Sequence, residues 1–229
     1  MTQFTDLSIS PTEGLRITLH NLPSSPPCQN PGYVPSRTLR PHLHPSSKPS
    51  TPPTSPALGF LALRTFYSNP SLWSQFQQHF TDLLSSQLTP SNGTGIPSVV
   101  NEFQIIWIED PSLEEASMED IRVYVSNMKE RGSVPQGMDW SMVLVADEAA
   151  AVSVVEALKG QKSKKAVPWV IGLDVDYGEG EEEEVYEGFF KVAVQTLLTE
   201  LFPVLATQMM APSEMVAGID WELGVWIWG

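Results

Sequence analysis

Three short apolar runs in this sequence end in carboxylates. Phe103-Gln104-Ile105-Ile106-Trp107-Ile108 is followed by Glu109 and Asp110. Met142-Val143-Leu144-Val145-Ala146 is followed by Asp147 and Glu148, and Trp169-Val170-Ile171-Gly172-Leu173 by Asp174 and, two residues on, Asp176. Runs of this kind read as strands covered on both faces. If the three strands are parallel neighbours, their carboxyl ends share one edge, which is where open α/β sheets bind ligands. Asp110, Asp147, Asp174 and Asp176 would there form a set of hard oxygen donors suited to Mg²⁺ or Mn²⁺. A divalent-metal-dependent phosphoryl-transfer or hydrolytic enzyme is the chemistry such a set would support. The competing reading is structural: acidic residues after strands cap the next helix, and Asp147 stands where such a cap belongs. Asp174-Val175-Asp176 does not extend into a calcium loop, because Glu179 replaces the required glycine and Val185 the twelfth-position Glu. Asn92-Gly93-Thr94-Gly95 lacks the lysine of a phosphate-binding loop. No Gly-x-Ser-x-Gly nucleophile elbow is present. The balance falls on helix caps and solvated loop ends, with no cofactor required and Mg²⁺ or Mn²⁺ needed only under the enzyme reading.

Tryptophan is the second chemical signal. Trp221, Trp226 and Trp228 crowd the last nine residues. In a strand, Trp226 and Trp228 share one face and Ile227 takes the other. They either pack a covered final strand or present an aromatic surface to a protein partner. Core packing is the favoured reading, since Trp is highly buried on average.

These residues need elements to hold them. Leu58-Gly59-Phe60-Leu61-Ala62-Leu63 is a further buried strand. Asn69-Pro70 starts a helix, Asn69 as cap and Pro70 in the first turn. Its apolar stripe is Leu72, Trp73, Phe76, Phe80, Leu83 and Leu84, with His79 as a half-buried packing residue beside it. Ser117 and Asp120 mark a second helix start, although a capping box prefers Glu or Gln at the latter position. Ile121, Tyr124, Val125 and Met128 form the buried face of this helix, and Gly132 closes it. A third helix runs from about Glu148 to Lys159. Phe189 to Val194 reads as a fifth strand. A helix begins at Thr196 and is ended or kinked by Pro203. A short helical turn from Pro212 and a final strand from Gly224 to Trp228 complete the pattern. The fold expected is α/β, a mixed sheet of five or six strands with helices between them.

Charge and composition bound the rest. The chain has 229 residues, 27 acidic against 13 basic, and a net charge of -14. Nucleic acid and anionic membrane are therefore disfavoured as main partners. One cysteine excludes a disulfide framework and a cysteine-based metal cluster. No apolar run reaches the roughly 18 residues of a membrane span, and the first residues lack a secretory signal pattern. An intracellular, cytoplasmic location is expected. Residues 1–56 hold 12 of the 20 prolines and only Asp6 and Glu13 against Arg16, Arg37, Arg40 and Lys48, which leaves a net of -16 for 57–229. Such a Pro/Ser/Thr-rich tail cannot bury enough apolar surface to offset its ordering entropy and reads as disordered. Leu15-Arg16-Ile17-Thr18-Leu19 alone alternates like an edge strand. The tail's Ser-Pro and Thr-Pro pairs suit polyproline-groove ligands or proline-directed kinases, but composition alone accounts for them.

Several pieces, in this order, resemble an uncharacterised α/β domain family of unknown function seen in actinobacteria and fungi. The matching pieces are Leu63-Arg64-Thr65-Phe66-Tyr67-Ser68 with Trp73, then Glu109-Asp110-Pro111, Val145-Ala146-Asp147, Ile171-Gly172-Leu173-Asp174, Phe190-Lys191-Val192 and Gly224-Val225-Trp226. The resemblance covers about 57–229. It departs at Phe66, where the family has Asp, along Leu197–Met210, and at Ile227, where the family has Arg. It implies the fold and no mechanism. The expectation overall is one acidic α/β domain at 57–229 acting as a non-enzymatic protein-interaction module with an unidentified protein partner.

Overall fold

The computed structural model describes residues 58–88, 103–133, 138–158, 167–178, 186–220 and 222–227. The expectations for the tail 1–56, including Leu15–Leu19, for the loop at 90–95, for the lysine turn at 162–165 and for Trp221 and Trp228 fall outside these residues. So do Glu179 to Val185 of the glycine- and glutamate-rich loop.

Among the described residues, seven strands form one mixed sheet in the order β2-β1-β3-β4-β5-β7-β6. They are β1 (Leu58–Arg64), β2 (Phe103–Ile108), β3 (Met138–Ala146), β4 (Trp169–Asp174), β5 (Phe189–Ala193), β6 (Ile219–Asp220) and β7 (Val225–Trp226). The expected five or six strands become seven because a two-residue hairpin partner, β6, precedes the last strand. β1 pairs in parallel with β2 and with β3. β4 is antiparallel to both β3 and β5. β5 then runs parallel to β7, and β6 returns antiparallel to β7.

Helices α1 (Pro70–Leu88), α2 (Met118–Glu130), α3 (Glu148–Leu158) and α4 (Phe202–Ala206) flank the sheet. Asn69 Oδ1 accepts the Leu72 N–H at 3.0 Å and starts α1 as expected. The α1 stripe packs on one sheet face: Trp73, Phe76, Phe80 and Leu84 are buried with Phe60, Phe103, Trp107 and Leu144, beside Val154 and Val155 of α3. His79 is half-buried. The other face is covered by α2, through Ile121 and Val125 against Leu61, Leu63, Ile106 and Val143. Ser117 and Asp120 do form a reciprocal capping box, an Asp serving where Glu is usual. Gly132, at φ 62°, ends α2 by passing its N–H to Lys129 and that of Ser133 to Met128. This left-handed close is cheap only for glycine.

The segment after β5 departs from a simple helix. A 3-10 turn, Val194–Thr196, leads into a π-type turn, Leu197–Leu201, and then α4. Pro203 has no N–H and its ring crowds the carbonyl four residues back. The ladder ahead of it widens, so that the Phe202 N–H reaches Leu197 O. The wider turn still buries Leu197, Leu198 and Leu201 on the same face as α1. Among the described residues, no helix is long and apolar enough to cross a membrane.

Phe76 is fully buried between Trp73, Phe80 and Trp107, with ring centroids 5.0–5.4 Å away. Phe76→Ala should cost about 3–5 kcal/mol in chemical denaturation. A loss below about 1 kcal/mol would mean that this face does not carry the core.

Candidate functional site

The carboxyl ends of β1, β2 and β3 lie on one edge, and the chain leaves β1 for α1 on one face and β2 for α2 on the other. That divergence makes the β1/β2 junction the place where an open α/β sheet usually receives a ligand. Here protein fills it. Arg64, 7% exposed, donates from Nε to Phe66 O at 2.6 Å and from Nη1 to Glu109 Oε2 at 2.9 Å. Its guanidinium carbon lies 4.2 Å from the Tyr67 ring centroid, 4.7 Å from that of Trp73 and 5.5 Å from that of Phe66. Gln77 of α1 donates to the other Glu109 oxygen at 3.3 Å. The Thr65 N–H donates to Ala146 O at 3.1 Å, bridging β1 to β3.

The acidic strand ends take structural posts. Asp110 accepts the Ser112 N–H at 3.0 Å and the Tyr124 hydroxyl at 3.1 Å. Partial burial would raise its carboxyl, but these donors outweigh that and hold it below the ordinary carboxylate range. Burial and the Asp110 charge push the Tyr124 phenol up to about 12. Asp147 caps α3 as expected, accepting the Ala150 N–H at 2.7 Å.

Asp174 and Asp176 are elsewhere. The metal reading needs parallel strands, and β4 runs antiparallel to β3 with Asp174 level with Met142. Asp174 therefore sits four residues back from the Ala146 edge, about 13 Å at the usual strand rise. Asp176 pairs with Lys129 at 3.3 Å. Asp110, Asp147, Asp174 and Asp176 thus do not share an edge. Among the described residues, no group of three or more His, Cys, Asp or Glu side chains is placed to hold a metal ion.

Asp174 instead belongs to a second buried cluster. Its carboxylate accepts the Tyr186 hydroxyl and the Asp176 N–H, each at 3.1 Å. Arg122 of α2, 8% exposed, donates to the backbone oxygens of Asp174 and Glu187 at 3.0 Å each, and to Glu119 Oε2 at 3.0 Å. It also stacks on Tyr177 at 5.0 Å. Gly188, at φ 77°, leaves room for this guanidinium, which an added Cβ would overlap. Burial raises the Asp174 carboxyl above its ordinary range; the Tyr186 and Asp176 hydrogen bonds oppose the rise, the Asp176 charge adds to it, and Arg122 opposes it.

Trp226 is fully buried, packed against Phe190 at 6.4 Å and beside Gly218. It is a core residue, so the expected binding surface of Trp226 and Trp228 does not include it. Two half-buried aromatics, Trp169 and Phe189, lie on β4 and β5. On the α2 side of the sheet, α2 packs over β1 to β3 while Trp169 and Phe189 stay half-buried. Lys191, exposed on the same face as Phe189, lays its Nζ 4.4 Å from the Trp169 ring centroid. The floor of Trp169, Ile171 and Phe189, walled by Met118 on one side and Val216 and Ile219 on the other, forms an open groove of about 490 Å³. Asp147 and Glu187 stand in its lining with Lys191. The sequence signal for this groove is Lys191 itself, a charge on the alternate position of an otherwise apolar strand.

Comparison with family models, with curated proteins and with solved structures finds no match to this chain.

Two outcomes test this site. Arg64→Met leaves Glu109 short of its buried partner and should cost about 3–5 kcal/mol; adding Glu109→Gln should recover part of it in a double-mutant cycle. For Asp174, the folded chain holds the proton more tightly than the unfolded chain. Its contribution is fully present below the unfolded value of about 4 and is lost as pH rises through the raised folded value. Asp174→Asn lacks that loss, so its melting temperature should rise relative to the parent between pH 4 and pH 7. A difference that is flat with pH would contradict the assignment.

Proposed function

We propose that this chain is a protein-interaction module that receives an extended apolar and basic segment in the groove over β4 and β5. The observation that carries the reading is the uneven cover of the sheet. Helices lie on both faces of β1 to β3, while on the α2 face of β4 and β5 Ile171 and Leu173 are buried with α2 but Trp169 and Phe189 stay half-buried. Half-exposed aromatics beside one another supply binding area at low entropic cost. Charge selects the partner. Asp147 and Glu187 in the lining, Asp220 and Glu222 on the neighbouring hairpin and a net of -16 over 57–229 favour a cationic ligand and repel nucleic acid. Lys191 can leave the Trp169 ring when a ligand cation takes its place. The location expected is cytoplasmic. The resemblance to the uncharacterised α/β family supports the same reading through its motif residues. Arg64, Trp73 and Glu109 meet in one packed network, and Ala146 joins it through Thr65, so the shared motifs are framework.

The test uses a ten-residue peptide of alternating Leu and Lys and its Leu and Glu counterpart, titrated against ¹⁵N-labelled chain. The Lys peptide should shift the Trp169 indole resonance, identified with Trp169→Phe, and Phe189→Ser should weaken binding by tenfold or more. The Glu peptide should not bind. Equal binding of both peptides, or binding unaffected by Phe189→Ser, would overturn the reading.

A further inference from the structure

We propose that the groove over β4 and β5 is the docking site of the chain's own segment Leu15-Arg16-Ile17-Thr18-Leu19, which makes the tail a self-ligand competing with outside partners; this rests on the groove being a peptide site. The segment has the chemistry the groove selects. Its alternation puts Leu15, Ile17 and Leu19 on one side and Arg16 and Thr18 on the other. Three apolar side chains in a row match a floor built from Trp169, Ile171 and Phe189. Arg16 is then left for a carboxylate of the lining, where Asp147 stands level with Trp169 and Glu187 lies beyond Leu173 at the other end of β4. The charges of the two parts are opposite: +2 over 1–56 and -16 over 57–229. The stretch lies between Pro11 and Pro23 with no proline inside, so its backbone N–H groups and dihedral angles are unrestricted.

Reach and concentration favour docking in cis. From Leu19 to Leu58 the chain runs 39 residues. A random chain of that length has a root-mean-square span of about 35 Å. This covers the distance from the start of β1 to a groove three strands away, since neighbouring strands lie about 4.8 Å apart. A tether of that length presents its ligand at about millimolar effective concentration. Weak contacts suffice at such a concentration, and the tail stays displaceable by a tighter partner.

Trypsin reads the docking in the full chain. It cuts after Arg16 and after Arg37, whereas the bonds after Arg40 and Lys48 precede proline. The ratio of the two rates, normalised to that in a synthetic peptide of residues 10–44, reports protection at Arg16. We expect at least tenfold protection in the native chain, lost in Leu15→Ser/Leu19→Ser and in Phe189→Ser. The tail variant alters no residue of 57–229, and an unchanged melting temperature in it makes the loss there specific. A ratio equal to that of the free peptide, protection that survives Phe189→Ser, or protection that grows with protein concentration would overturn the proposal, the last by showing docking onto a second copy. The alternating Leu/Lys peptide, added to Leu15→Ser/Leu19→Ser, separates the two levels. Binding there with no protection of the native tail sinks only the self-ligand, and failure to bind there sinks the groove as a peptide site.

Discussion

A guanidinium buried at the end of a central strand must find its compensation nearby, because an unpaired charge at that depth would cost several kcal/mol. Arg64 ends β1 in the middle of the parallel part of the sheet, and its partners come from three directions. Glu109 follows β2, Trp73 lies in the second turn of α1, and Phe66 and Tyr67 belong to the connection between. Gln77 holds the far oxygen of Glu109 and fixes its carboxylate plane. The interaction thereby sets the spacing of β1, β2 and α1 at once. It also takes up the junction in which sheets of this build commonly bind a ligand. The position most suited to chemistry is spent on holding the fold together.

Arg122 solves the same problem at a different depth. Its three donor nitrogens reach two backbone carbonyls and one carboxylate, in the fork geometry that lysine lacks. It joins α2 to the end of β4 and to the start of β5, so the antiparallel half of the sheet is registered against the parallel half. Asp174 and Tyr186 complete the cluster at the cost of a carboxylate kept out of water. The two arginines together explain how an acidic domain tolerates a mixed sheet: its buried cations sit where strand direction changes or strands end.

Helix supply decides where surface is left for binding. α1, α3 and the segment ending in α4 share one face, and α2 packs against β1 to β3 on the other. On that second face the cover from α2 reaches Ile171 and Leu173 of β4. Trp169 and Phe189 are left half-buried and Lys191 exposed. The proposed binding role of this face rests on that uneven cover.

Much of the framework was legible in the residues themselves. The apolar runs that became β1 to β5, the Asn69 and Asp147 caps, the Gly132 close and the α1 stripe depend on neighbours within one or two turns, and local physics determines them. Pro203 announced an interruption, yet only packing of Leu197, Leu198 and Leu201 decided that a π-type turn would absorb it. The site was not legible. Asp110, Asp147, Asp174 and Asp176 look alike in sequence because each follows an apolar strand. Strand direction separates them, and direction depends on connections whose geometry is settled only when β3 and β4 pair. Trp226 and Trp169 are likewise both strand tryptophans. One is buried and the other half-exposed because one face has helical cover at that point and the other does not, a difference made by elements far away in the chain.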